Sequence, residues 1–213
     1  MKITVLTDSC ESWFVPFGRA LVDALQVEHD VSYVHSAEQI RAGDICFLLS
    51  CIRLLPHECL ARNENNIVVH ASDLPRGKGF SPLQWQILSG ENDITLTLFE
   101  ATEGADNGPA YFKRTVHFDG HELLGELRHS LGQAINAMCI DYVQKRATLV
   151  AIPQTGRETI YRRRSRKDDE LDSSKSLREL FNQFRIADND HHPLFFQHLG
   201  HRYLLKVYKD QSA

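Results

Sequence analysis

The run Ile45-Cys46-Phe47-Leu48-Leu49 carries no polar side chain in five consecutive positions, which is the pattern of a strand buried on both faces. Such a strand belongs in a sheet that helices cover on both sides. The flanking sequence fits that arrangement. Ile3–Thr7 and Val31–Val34 read as strands, the amphipathic stretch Phe17–Leu25 and a short helix near Ala37 as the helices beside them, and Pro56–Ala61 as a further helix. Next come the apolar strand Ile67-Val68-Val69, a helix opening at Ser81-Pro82, and strands over Thr95–Glu100 and Tyr111–Phe118. From near Gly120, Leu124, Leu127, Leu131, Ala134, Ile135 and Met138 recur every three or four residues, an apolar stripe wide enough to pack on a sheet. Alternation of this kind predicts an α/β fold with a mostly parallel sheet.

At about Ala147 the composition changes. Pro153, Gly156 and the basic-acidic run Arg162-Arg163-Arg164-Ser165-Arg166-Lys167-Asp168-Asp169-Glu170 make a loop-rich stretch, followed by a helix over Ser176–Phe184 and a terminal strand over Tyr203–Tyr208. The expected division is therefore a main domain over residues 1–146 and a small α+β extension over residues 147–213.

Charge and cysteine usage limit the function. A net charge of -4 counts against a polyanion-gripping protein, because nucleic-acid affinity rests on Lys and Arg meeting phosphates. The arginine cluster is followed at once by acids that cancel its field. Cys10, Cys46, Cys51, Cys59 and Cys139 form an odd set without a Cys-x-x-Cys pair, as expected for reduced thiols in a cytoplasm. Met1-Lys2 runs straight into a strand, and no apolar stretch approaches the roughly 20 residues of a membrane span, so no membrane partner is expected. Eleven histidines lack metal-ligand spacing, and no metal is expected. The absence of Gly-x-Gly-x-x-Gly and Gly-x-Ser-x-Gly patterns argues against a nicotinamide cofactor and a serine hydrolase.

Chemistry concentrates at one place. His70 ends a buried strand and enters Ala71-Ser72-Asp73-Leu74-Pro75-Arg76-Gly77-Lys78-Gly79-Phe80-Ser81-Pro82, and open α/β sheets place ligands at the carboxyl ends of their strands. Ser9 and Trp13 follow the first strand to the same edge.

The His-x-Ser-x-Leu-Pro run, the Gly-containing loop and the Trp-Gln-x-Leu-x-x-Gly helix resemble the folate-dependent formyltransferases. So does the second block, Ile94–Glu100 followed by Gly104-Ala105-Asp106-Asn107-Gly108. The wording is similar to sugar N-formyltransferases that act on nucleotide-linked amino sugars, and the stretch from Tyr161 to Ala187 resembles the extension after their catalytic domain. A counterpart of the large carboxyl-terminal barrel of methionyl-tRNA formyltransferases is not expected from this sequence. The resemblance implies a Rossmann-like formyltransferase domain that moves a formyl group from N10-formyltetrahydrofolate to the primary amine of a nucleotide-activated amino sugar, for surface-glycan synthesis.

In that reading His70 and Asp106 are catalytic, with His70 stabilising the oxyanion and Asp106 orienting and charging the imidazole. Leu49, Ser50, Cys51, Ile52, Ala101, Gly104 and Ala105 bind the folate, while Ser9, Trp13, Arg76, Gly77, Lys78 and Gly79 face the substrate. A homodimer through the extension is expected. One position departs from the family: where its pattern reads Asn-x-His, this chain has Val68. Asn66 shares that face but lies about 13 Å from His70 along a strand. Ser72, Ser50 or an amide of Gly77–Gly79 remain as substitute donors. The alternatives are formylation of glycinamide ribonucleotide or methionyl-tRNA, or a folate- and nucleotide-binding protein without turnover.

Overall fold

A computed structural model of the chain describes residues 1–210. Strand β1 (Lys2–Leu6) leads to helix α1 (Val15–Leu25), strand β2 (Asp30–Val34), one 3-10 turn at Ala37–Gln39 and strand β3 (Gly43–Leu48). Then follow α2 (His57–Leu60), β4 (Asn63–His70), the two-residue β5 (Lys78–Gly79), α3 (Pro82–Leu88), β6 (Asp93–Glu100), β7 (Ala110–His117) and the long α4 (Leu124–Lys145).

The main sheet has the order β2-β1-β3-β4-β6-β7. Its first four strands run parallel, whereas β6 is antiparallel to β4 and β7 to β6. The parallel half is the one that the strand-helix alternation predicts. The other half follows from short returns. Helix α3 has seven residues and climbs only about 10 Å, too little to carry the chain back along the roughly 26 Å of an eight-residue strand. The link from β6 to β7 is shorter than the dozen or more residues a parallel crossover needs.

Side-chain alternation sorts the sheet's two faces. Ile3, Val5, Ile45, Phe47 and Ile67 join the stripe of α4 (Leu127, Leu131, Ile135 and Met138) in the larger core. Leu6, Cys46 and Leu48 build a smaller core under α2 on the opposite face, with Val68 packed against it. Burying each such Leu, Ile or Phe stabilises the fold by about 1.5–3 kcal/mol. No helix among the described residues is long and apolar enough to cross a membrane.

Past α4 the chain returns to β7 and β5. Ile152 bridges Ala110, and β8 (Ile160–Tyr161) pairs in parallel with β5. A 3-10 turn (Arg166–Asp169), helix α5 (Phe181–Arg185) and the hairpin of β9 (Leu194–His198) with β10 (His201–Leu205) complete the chain, around a core of Leu171, Leu180, Phe184 and Leu194. The helix expected over Ser176–Phe184 is confined to five residues. Before it, the amide and hydroxyl of Ser176 donate to the Glu179 carboxylate in a turn. The terminal strand ends at Leu205, and its partner β9 was not expected from the sequence. Arg185 is 1 % exposed and ties α5 to the loops before β6 and α4, donating to Asn92 Oδ1 at 2.8 Å and pairing with Glu122 at 3.2 Å. Much of the arginine cluster is paired, Arg162 with Asp168 and Arg164 and Arg166 with Asp169.

Candidate active site

Strand β4 delivers His70 to the carboxyl edge of the parallel half, where the chain leaving it is pinned. The Thr97 hydroxyl donates to the Ser72 carbonyl at 2.7 Å, the Leu74 amide donates to Thr97 Oγ1 at 3.3 Å, and Gln86 Nε2 donates to the Ala71 carbonyl at 2.7 Å. His70 therefore stands on a rigid support. Its imidazole is 10 % exposed. Nε2 lies 2.9 Å from the carbonyl oxygen of Gly77, and a carbonyl only accepts, so this partner assigns the hydrogen to Nε2. Nδ1 then faces Asp106, whose Oδ1 is 3.7 Å away. The other oxygen, Oδ2, accepts the Gly79 amide at 2.8 Å.

Asp106 adopts φ 55°, a left-handed conformation uncommon outside glycine and found often at functional sites. The glycine two residues on has a physical reason. A Cβ on Gly108 would sit 1.6 Å from the Glu100 carbonyl, so only glycine lets the loop fold back on the end of β6.

His70 and Asp106 lie in the wall of a cavity of about 650 Å³, within the roughly 300–1,000 Å³ of small-molecule sites. One part is apolar, with Leu48, Leu55, Leu60, Val68 and Ala101 in its wall. The other carries two arginine-aromatic pairs: Arg128 lies 5.9 Å from the Trp13 ring centroid and Arg163 lies 4.6 Å from that of Phe80. Asp8 shapes the apolar side, its Oδ2 accepting the amides of Ile52 at 2.7 Å and Arg53 at 3.0 Å. Burial, with the Asp8 carboxylate alongside, pushes the Cys51 thiol up to about 12, so the thiol stays protonated near neutral pH, and Arg53 carries the charge at this end of the cavity.

Of the residues expected to bind folate, Ser50, Cys51, Ile52, Ala101, Gly104 and Ala105 line the cavity. Leu49 does not, because alternation along the chain turns it into the larger core, where it is 1 % exposed. Trp13 and Gly79, expected at the substrate, line the cavity as well. Four others are elsewhere. Ser9 accepts the Glu11 amide at 3.2 Å, and Arg76 points to solvent and pairs with Asp73 at 2.7 Å. Gly77 supplies the carbonyl that His70 holds, and Lys78 turns inward to Asn107 and Glu158. Sequence reasoning missed Phe80, Arg128 and Arg163. Arg163 stood in the arginine cluster, whereas Arg128, on the flank of the α4 stripe, gave no local signal.

The vacancy at Val68 narrows the substitute donors. The amides of Gly77, Lys78 and Gly79 are committed to Thr159 Oγ1, the Thr159 carbonyl and Asp106. Ser72 is buried and outside the cavity wall, and Asn66 donates to the Leu60 carbonyl. Of the expected donors not engaged in this way, only Ser50 lines the cavity, its hydroxyl 2.9 Å from that of Ser12. Away from this site, Asp119, His121 and Glu122 bring ligand atoms within 4.8 Å of one another. The Glu122 carboxylate there already accepts the Asp119 and Gly120 amides and pairs with Arg185.

Comparison with known proteins agrees with this geometry. Residues 24–143 match the family model described as Formyl transferase. The methionyl-tRNA formyltransferase of Thermodesulfovibrio yellowstonii is 31 % identical over 138 residues, 62 % of this chain and 44 % of that protein. The chain spans about half the length of the curated relatives it matches. Among solved structures, a methionyl-tRNA formyltransferase from Clostridium thermocellum superposes with a TM-score of 0.84 at 19 % identity, covering 100 % of this chain and 94 % of that one. A sugar N-formyltransferase from Shewanella gives 0.74 at 14 % identity, covering 99 % and 98 %. HypX from Aquifex aeolicus, in complex with tetrahydrofolic acid, gives 0.77 at 19 % identity, covering 96 % of this chain and 37 % of that one. These likenesses agree on the fold, and the family match extends over more than half of the sequence. With the His70 and Asp106 blocks in the order and place described above, the chain belongs to the formyl transferase family.

Proposed function

We propose that this protein transfers a formyl group from N10-formyltetrahydrofolate to the primary amine of a nucleotide-linked amino sugar. The observation that carries the proposal is the His70–Asp106 pair in the wall of a cavity that is apolar on one side and cationic on the other. The apolar side, with its uncharged Cys51 thiol and its backbone groups at Ser50–Ile52 and Ala101–Ala105, suits a pterin. When bound, the folate supplies the formyl carbon. Arg128 and Arg163, each against an aromatic face, suit the phosphates and base of a nucleotide.

The chain's own part in the reaction is to hold and move a proton. Gly77 fixes Nε2–H, so Nδ1 is the nitrogen open to exchange. A reacting amine sheds a proton, and Nδ1 stands where it can receive one directly or through water. Asp106 Oδ1, 3.7 Å away, then stabilises the imidazolium, whose Nδ1–H can be offered to an oxygen that gains charge. At 3.7 Å Asp106 Oδ1 stands beyond hydrogen-bond distance of Nδ1 and does not tie up that hydrogen.

A second acceptor, methionyl-tRNA, is favoured by the likeness of the chain to methionyl-tRNA formyltransferases. The net charge of -4 weighs against it. The experiment offers the purified protein N10-formyltetrahydrofolate with a panel of nucleotide-linked amino sugars, methionyl-tRNA and glycinamide ribonucleotide. Formyl gain on an amino sugar, lost in His70→Ala and Asp106→Ala, is the expected result. Formylation of methionyl-tRNA or the ribonucleotide in preference contradicts the acceptor class, and folate binding without any product favours a protein that has lost turnover at Val68.

A further inference from the structure

We propose that Lys78, together with Glu158 and Thr159, is the positioning device of the His70–Asp106 pair. The inference rests on reading that pair as the reacting centre. The loop Gly77–Gly79 serves both members at once, since the Gly77 carbonyl accepts His70 Nε2–H at 2.9 Å and the Gly79 amide donates to Asp106 Oδ2 at 2.8 Å. Lys78 stands between those two contacts and is 5 % exposed. Its ammonium donates to Asn107 Oδ1, next to Asp106, and to the Glu158 carboxylate.

The segment after α4 holds the same two loops by other bonds. Thr159 Oγ1 accepts the Gly77 amide at 2.8 Å and the Thr159 carbonyl accepts the Lys78 amide at 3.0 Å. The Tyr161 carbonyl accepts the Phe80 amide at 3.1 Å. Gln154 Nε2 donates to the carbonyls of Asp106 at 2.9 Å and Gly108 at 2.7 Å. Three stretches distant in sequence therefore meet around one buried ammonium, whose charge those partners compensate. Lys78 contacts neither ligand space nor solvent, so its charge fixes the distance between a proton-carrying imidazole and its carboxylate.

The test uses the full chain and two readouts. Nitrogen NMR of the imidazoles, with His70→Ala to assign the signal, needs no substrate. In the wild type the neutral His70 ring is the Nε2–H tautomer. In Lys78→Met the Gly77 carbonyl is released and the signal moves to an average of the two tautomers. Glu158→Gln alters a carboxylate that is 60 % exposed and leaves an amide oxygen to accept the ammonium; it lowers the melting temperature less than Lys78→Met does and moves the signal part of the way, so it carries the test if Lys78→Met does not fold. On formyl transfer, Lys78→Met lowers kcat by about 10²-fold with KM for folate held within about twofold, as expected for misplacement by about 1 Å. Folded variants that retain the single Nε2–H tautomer and wild-type kcat overturn the proposal. If the wild type transfers no formyl group yet both variants shift the tautomer, the positioning role stands and the reaction assigned to the pair fails.

Discussion

Replacing Val68 by asparagine tests the chemistry of the site at its most informative position. Val68 is half-buried on β4, two residues before His70 and on the same face, and it forms part of the cavity wall without offering a hydrogen-bond donor. The amides of the neighbouring loop are engaged elsewhere, so a side-chain amide here adds a donor that the site lacks. Losing one donor of this kind typically costs 10² to 10³ in kcat, and gaining one next to His70 is expected to raise kcat by about 10²-fold. The change also has a cost. Half-burial of a valine is worth about 1 kcal/mol, and for a chain of this size that lowers the melting temperature by about 2–4 °C. Tetrahydrofolate release, with the mass of the formylated product as control, measures the rate, and a thermal melt measures the fold. The same series in a Ser50→Ala background shows a larger gain, because Ser50 is then no longer present to donate. A folded Val68→Asn protein with unchanged or lower kcat refutes the reasoning that an oxyanion donor is missing.

Further expectations come from packing and ionisation. A Cβ on Gly132 would lie 2.5 Å from Phe17 Cδ1 and 2.6 Å from its Cγ, so Gly132→Ala destabilises, the overpacking cost of about 1–3 kcal/mol exceeding the helix gain of about 1 kcal/mol; a higher melting temperature would contradict this. Arg162, with the amide and hydroxyl of Ser165, holds the Asp168 carboxyl well below the usual carboxylate range. A depressed folded value means that its stabilisation is complete above the unfolded value of about 3.9 and is lost as pH falls toward the folded one, so Asp168→Asn lowers stability at neutral pH and flattens its decline in acid, as denaturant titrations at several pH values will show. Cys10 is exposed, whereas Cys46, Cys59 and Cys139 are buried and the Cys51 thiol is pushed up to about 12. Mass spectrometry after brief alkylation at pH ~8 should therefore place the label on Cys10, since the thiolate is the reacting form; rapid labelling of Cys51 would count against a protonated Cys51 thiol in the cavity wall.

Much of this architecture is legible in the sequence. The apolar run at Ile45–Leu49 marks the buried centre of the sheet, and the stripe from Leu124 to Met138 marks the helix covering it. The two blocks around His70 and Asp106 identify the pair that the fold brings to 3.7 Å. What escapes depends on long-range contacts. The antiparallel pairing of β6 reflects the length of a return path, which local periodicity does not encode. Leu49 and Ser50 are neighbours in sequence, yet alternation turns one into the core and exposes the other to the cavity. Arg76, Gly77 and Lys78 read alike as a basic loop, but Arg76 meets solvent, Gly77 meets His70 and Lys78 meets a segment about 80 residues downstream. Arg128 reaches the cavity from the second turn of α4 because α4 packs on α1.

The central claim is that the His70–Asp106 pair moves a proton for formyl transfer to an amino sugar. The most direct measurement follows tetrahydrofolate release and product mass with N10-formyltetrahydrofolate and each nucleotide-linked amino sugar of the panel, for the wild type, His70→Ala and Asp106→Ala. The account predicts one formyl group added to the amine of a panel member by the wild type and a fall in kcat of at least about 10²-fold in either variant. Equal rates in the wild type and the two folded variants would contradict it.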